Sequence, residues 1–339
     1  DSLSLSAWGR NRNRLQKMQS ARLSLPRKVF VEQQTQCSRT EVVLLKFHGM
    51  REWRNHTPGL RGKKALIVPF TAISSVIGTW AFYFILDNIS RWLPTPSLVA
   101  IEPWLPIIGS IIALSCAFLL VFSVFHRRAG LLARDKTTAY QRALIPGLAG
   151  IASILASIIH IFDPIIRFPT GLIALPPPVN PLTTTLASSM WDLLALPCAT
   201  SAHLFQVILG VAVVVFGLLL IVRSVEVLGF DYATVVYLYY PEESKLVDHK
   251  IYSIVRNPLY AGAIVVGFGG VLYRLSAYAA ILWLLVLLLF AVHIRFVEDK
   301  ELIERFGASF RKYQQRVPSL FVRPRNWGKL ILFLFGKWR

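Results

Sequence analysis

Acidic residues are scarce in this sequence. Asp and Glu number 18 against 37 Lys and Arg, so the formal net charge is +19. Cysteine is scarcer still: Cys37, Cys116 and Cys198 stand far apart, with no C-x-x-C pair. That excludes a disulfide framework and a cysteine zinc site. The seven histidines are scattered without ligand spacing, so no structural metal is predicted. Charged residues make up only 16% of the chain, against roughly 25% in an average globular domain. No basic stripe is interleaved with base-stacking aromatics, so nucleic acid is not a predicted partner despite the charge.

Apolar sequence is what the chain has in abundance. Of 339 residues, 54% are hydrophobic, and they come in long runs. The class is therefore an integral membrane protein, built as one membrane domain with polar ends. Six segments are predicted to cross: Ala65–Leu86, Leu105–His126, Ala143–Phe162, His203–Val222, Pro258–Tyr273 and Ser276–Ile294. The last two fall short of the roughly 20 residues a perpendicular span needs. Only Arg274-Leu275 joins them, so they must form a tight hairpin. The fold class is all-α: a polytopic membrane protein of about six transmembrane helices with a cytoplasmic C-terminal amphipathic helix.

The basic residues alternate between loops. Arg51, Arg54, Arg61, Lys63 and Lys64 precede the first segment, and Arg127, Arg128, Arg134, Lys136 and Arg142 follow the second. Arg223, Lys245, Lys250 and Arg256 follow the fourth. The intervening loops hold one each: Arg91, Arg167 and Arg274. The positive-inside rule then puts both termini in the cytoplasm, and membrane lipid becomes a predicted contact of the basic faces.

Four regions result. Residues 1–49 carry nine Lys/Arg against three acidic residues and repeat Ser-Leu. They read as a basic targeting leader or, preferably, as a disordered or non-native upstream segment with Met50 as the start. Residues 50–202 form an N-terminal membrane region of three helices plus an external loop, 163–202, containing Pro176-Pro177-Pro178. Residues 203–324 form a second membrane region. Residues 325–339 are an apolar run with basic ends, read as an interfacial anchor. Pro69, Pro146 and Gly210 read as mild kinks or close helix packing.

Two stretches carry the chemistry. In 246–262, LVDHKIYSIVRNPLYAG, Asn257-Pro258 has the character of a helix start, with Asn at the N-cap and Pro at the first helical position. In 295–324, apolar residues Leu302, Phe306, Phe310, Tyr313 and Val317 are spaced as a helical stripe. Extended back by four residues the stripe reaches Glu298, a carboxylate on an apolar face that must be paired or have a raised pKa. The plain reading is an amphipathic helix with Glu298 paired to Arg295 or Lys300. A hairpin, however, returns Glu298 to the face that Asn257 left. It can gather Arg256, Asn257, Tyr260, Arg295, Glu298 and Asp299 into one polar cluster, and ionisable groups at membrane depth suggest function. His160 and His203 read as interfacial, and His293 lies nearer the cluster. Tyr237, Tyr239 and Tyr240 read as an interface belt.

The turn Arg256-Asn257-Pro258-Leu259-Tyr260-Ala261-Gly262 resembles an R-[HN]-P-x-Y-x-G signature. Glu298-Asp299-Lys300-Glu301-Leu302, Phe306-Gly307, Phe310, Tyr313 and Val317-Pro318 resemble its companion of E-E-x-x-L, F-G, two tyrosines and V-P. Together, over roughly 205–324, they are similar to the isoprenylcysteine carboxyl methyltransferase and phospholipid methyltransferase superfamily. The resemblance makes 203–324 the catalytic region and implies S-adenosylmethionine as cofactor. It implies a pocket walled by Leu246, Val247, Tyr252, Arg256, Asn257, Pro258, Tyr260 and Gly262 and closed by Glu298. A lipid-like acceptor, of the isoprenylcysteine carboxylate type, would enter from the bilayer. Glu298 is the expected catalytic or acceptor-orienting residue, and Arg295 the expected acceptor-carboxylate ligand. Three positions depart from the usual pattern: Asn257 stands for His, Lys250 for a frequent Gly, and Asp299 for the second Glu. Two other classes share parts of the pattern: a sterol-type membrane reductase using NADPH, and a non-enzymatic transporter or scaffold with the same fold.

Overall fold

The computed structural model describes residues 49–162 and 199–336, all within the unit Phe47–Arg339. The upstream segment and the proline-rich loop fall outside the described residues, apart from their edges. Among the described residues every regular element is helical. The principal helices are α1 (Ile67–Trp92), α2 (Leu105–His126), α3 (Lys136–His160), α4 (Ala199–Leu228), α5 (Pro258–Arg274) and α6 (Ala277–His293). Shorter helices α7 (Asp299–Phe306), α8 (Ala308–Arg316) and α9 (Trp327–Leu334) follow.

Among the described residues five helices are long and apolar enough to cross a membrane, and α5 is a shorter apolar helix of 17 residues. At 1.5 Å per residue α5 is about 25 Å long, below a hydrocarbon thickness of about 30 Å. Its faces and those of α1 and α4 present large apolar side chains outward. Phe70 is 70% exposed on α1 and Phe205 61% on α4, as lipid-facing residues would be.

Local chemistry sets the hairpin. Leu275 turns left-handed at φ 44°, and the Ser276 side chain caps α6 by accepting from the Ala279 N–H. α5 lies against α4 along a seam of glycines. A Cβ on Gly262 would meet Ile221 Cγ1 at 2.6 Å and the Gly217 carbonyl at 2.9 Å. Small residues allow this close backbone approach, the usual device of helices in lipid. Gly210, read from sequence as close packing, faces the Gly269 carbonyl in the same seam.

The basic loops gather at one end of the bundle. There Trp53 donates to Tyr140 Oη at 3.0 Å, Arg128 pairs with Glu301 at 2.6 Å, and Arg305 donates to the Tyr237 carbonyl. At this end α9 docks rather than lying free. Leu330, Phe333 and Leu334 pack into a core with Leu220, Ile251, Ile254, Val255 and Ala261. Each such buried aliphatic side chain contributes about 1.5–3 kcal/mol relative to exposure in water.

Candidate active site

α6 does not run straight into α7. Residues Ile294–Glu298 form a π-helical turn between them. Such wide turns, closed by i→i+5 bonds, recur at functional sites. Here the turn sets His293 and Glu298 beside one another, with Nε2 and Oε1 3.8 Å apart. Tyr260, two residues into α5, donates its phenol to Glu298 Oε1. The carboxylate is nearly enclosed, its side chain only 11% exposed.

The two signature stretches are stitched together by backbone bonds. Arg256 N–H donates to the Pro318 carbonyl at 2.9 Å and Asn257 N–H to the Ser319 carbonyl at 3.0 Å. Asn257 occupies the N-cap position of α5 with Pro258 next, as its sequence implies. Its side chain does not cap, however: Nδ2 donates to Ser319 Oγ at 2.9 Å. Arg256 Nη1 pairs with the buried Asp299 at 2.9 Å, and Gln314 donates to the other Asp299 oxygen. The Asp in the second acidic position thus anchors Arg256. Lys250, where the resembling family often has glycine, has φ 51°, a conformation that glycine adopts without the Cβ penalty.

These elements surround a cavity of about 730 Å³. Leu246, Val247, Tyr252, Arg256, Asn257, Pro258, Tyr260 and Glu298 all line it. Two of the sequence-named residues stand elsewhere. Gly262 is not in the wall; its Cα face is spent on the α4 seam. Arg295 is exposed and lines a separate outer groove with Arg256, Asp299 and Ser319. The π turn explains this: a regular α-helix would set Arg295, at i−3, beside Glu298, whereas the wider turn sets His293 there.

The wall includes residues that sequence reasoning placed otherwise. Tyr237, read as part of an interface belt, lines the cavity with the Arg305 guanidinium 4.7 Å over its ring. Leu302, Phe306, Phe310 and Tyr313 line it from the stripe that led to Glu298. That stripe is broken into α7 and α8 at Gly307, whose φ of 54° needs a glycine. Burial pushes the phenols of Tyr237, Tyr252 and Tyr313 up from their usual value, so they remain hydrogen-bond donors. Tyr313 donates to the Tyr252 carbonyl at 2.6 Å.

Three buried polar atoms of the wall have no hydrogen-bond partner: Tyr252 Oη, Arg256 Nε and His293 Nε2. Leaving such a group unpaired costs about 1–3 kcal/mol, which a bound polar molecule would recover.

Residues 205–309 match the family model for phospholipid methyltransferase. That stretch is similar to the phospholipid methyltransferase family. Two curated relatives, from Oryza sativa subspecies indica and japonica, are each described as a probable protein-S-isoprenylcysteine O-methyltransferase. Each is 25% identical over 153 residues, covering 41% of this chain and 80% of the relative. No solved structure matches. The matched residues begin in α4 and contain the hairpin, the π turn and α7. With its apolar helices, the chain is an integral membrane protein that resembles this family over the matched residues. Helices α1 to α3 precede the matched residues.

Proposed function

We propose that this protein is an S-adenosylmethionine-dependent membrane methyltransferase acting on a lipid-like acceptor of the isoprenylcysteine carboxylate type. The observation that carries this reading is the set of unpartnered polar atoms on one cavity beside a buried carboxylate. A cavity of about 730 Å³ lies within the range of small-molecule sites, about 300–1,000 Å³. Its donor set suits the cofactor. Glu298 offers a negative charge to a cation, and the Tyr237, Tyr252 and Tyr260 rings offer π faces. Tyr252 Oη and Arg256 Nε are donors for the polar groups of the nucleoside and amino-acid ends.

When bound, S-adenosylmethionine supplies an electrophilic methyl carbon on a sulfonium. The residues of this chain then align the partners and exclude water. Tyr260 fixes the Glu298 carboxylate through its hydrogen bond, so that the charge is pre-oriented. Asp299 holds Arg256, and the 256–257 to 318–319 bonds hold the first signature to the segment behind it. A carboxylate acceptor needs no base, so binding and orientation carry the catalysis. Gly262 and Arg295 have no part in this reading. The curated relatives' described activity motivates the carboxylate acceptor. The basic end of the bundle, and with it both termini, is read as cytoplasmic.

Calorimetric titration of detergent-purified protein with S-adenosylmethionine tests the reading. Binding is expected, and Tyr260→Ala or Glu298→Ala is expected to weaken it. No binding, or binding indifferent to both changes, sinks the proposal. Transfer of a labelled methyl group into a base-labile lipid product identifies an ester. A melting shift with NADPH but not with S-adenosylmethionine would instead favour the reductase class. Thiol labelling of single cysteines placed in the 127–135 loop, from either side of the membrane, checks orientation.

A further inference from the structure

One wall of the cavity is strained and is held in place from outside the matched residues. Phe230, Tyr232, Thr234, Val235 and Tyr237 form this wall. Val235 has φ 55°, a left-handed conformation that a β-branched residue rarely adopts. Such a residue persists only where its surroundings over-determine it. The reversal it makes brings Tyr232 and Tyr237 into a stack, with centroids 5.3 Å apart and planes at 23°. Tyr237 is one of the π faces assigned above to the cofactor.

The holding contact comes from the short helix Met50–Asn55, ahead of α1. Trp53 Nε1 donates to Tyr140 Oη at 3.0 Å, and Tyr140 Oη donates to the Thr234 carbonyl at 3.2 Å. That carbonyl belongs to the peptide leading into Val235. Tyr140 is buried, so the hydroxyl that links the two has a fixed place. The Trp53 ring also meets Phe230 edge-on at 5.5 Å. Gly49, at the start of the same helix, sits so close to Asp231 that a Cβ there would lie 1.8 Å from Oδ1. Beyond the helix, the His56 ring lies 3.9 Å from that of Tyr240 and pairs with Glu243 at 3.2 Å. Other elements hold the far end of the wall: Arg305 of α7 donates to the Tyr237 carbonyl, and Tyr239 donates to the Val124 carbonyl of α2 at 2.7 Å.

Resting on the methyltransferase reading, we propose that Trp53 is a positioning residue of the cofactor site. Acting through Tyr140, it fixes the Thr234 carbonyl and so keeps Val235 left-handed and Tyr237 in the cavity wall. Neither Trp53 nor Tyr140 lines the cavity, so neither touches what it holds. Both precede residues 205–309, the stretch similar to the methyltransferase family. Without the Trp53 hydrogen bond the Tyr140 hydroxyl is free to turn away from Thr234. Val235 then relaxes to an ordinary conformation, and the tyrosine stack leaves its place.

The test titrates the full-length protein in detergent with S-adenosylmethionine and records melting temperature in parallel. Trp53→Phe keeps a ring and removes the donor. It should weaken cofactor binding by the folded protein about fivefold. Tyr140→Phe should cause a similar loss. The two together should lose no more than either alone, because they break one relay. Glycine adopts the left-handed conformation freely, so in a Val235→Gly background Trp53→Phe should weaken binding less than about twofold. A purely structural tryptophan would not show that rescue. An equal loss with and without Val235→Gly therefore overturns the proposal. If the wild type binds the cofactor and Trp53→Phe leaves that affinity unchanged, whatever its melting temperature, this inference alone is overturned. A wild type that binds no cofactor overturns the methyltransferase reading, and this inference with it.

Discussion

Two buried polar clusters sit at opposite ends of the helices and differ in one respect. At the end away from the basic loops, His160 Nε2 pairs with Asp87 Oδ2 at 3.1 Å, and its Nδ1 with Tyr278 Oη at 2.6 Å. Tyr278 continues to Ser110 at 2.9 Å, and Tyr83, stacked on His160 at 4.0 Å, donates to Ser157. His160, Tyr278 and Ser157 are fully buried. None of these groups lines the cavity. The cluster's hydrogen bonds join α1, α2 and α3 to α6. At the other end, Tyr260, Glu298 and His293 border the cavity. Both clusters are buried, and what separates them is that only the second borders a cavity a ligand could occupy.

That contrast can be broken by substitution. The largest effect is expected at the closed cluster. His160→Leu leaves Asp87 without its imidazole and should cost about 3–5 kcal/mol of stability, measured by unfolding in detergent. Cofactor affinity in the surviving folded fraction should be unchanged. Glu298→Gln should do the opposite. Cofactor affinity should fall about a hundredfold, or about 2.7 kcal/mol, with the melting temperature unchanged or raised. A large fall in melting temperature there would make the two clusters equivalent and remove the distinction. Gly262→Ala should destabilise the protein by about 1–3 kcal/mol through the α4 seam and spare cofactor affinity. Tyr252→Phe should have the smallest effect. Removing an unpartnered hydroxyl should leave the free protein as stable or slightly more so, while cofactor binding weakens about threefold.

The helices were largely legible, because apolar runs and punctuation residues act locally. α2 has the expected limits of Leu105–His126, and Pro258 opens α5 as its fixed φ favours. α4 extends beyond the expected His203–Val222 because amphipathic turns continue past the apolar run on the basic side. The burial of Glu298 was legible from its place on an apolar stripe. The outward placement of Arg295 was not, because periodicity assumes 3.6 residues per turn and the π turn changes the register at that point. Gly262 carries a motif position and serves a helix contact, a distinction spacing cannot make. The contribution of α2 and α3 to the cavity depends on contacts between residues more than a hundred positions apart, on which local pattern is silent.

The brevity of α5 has a further consequence. A rod of about 25 Å does not reach across an undisturbed hydrocarbon slab of about 30 Å. Lipids beside it must thin inward or the flanking basic side chains must stretch outward, leaving a shallow dimple around the hairpin. The distance separating the aqueous phase from the acyl-chain interior is shortest at that dimple. Sterol-rich, thicker membranes press against such a depression, so the protein's behaviour is tied to the thickness of the host bilayer.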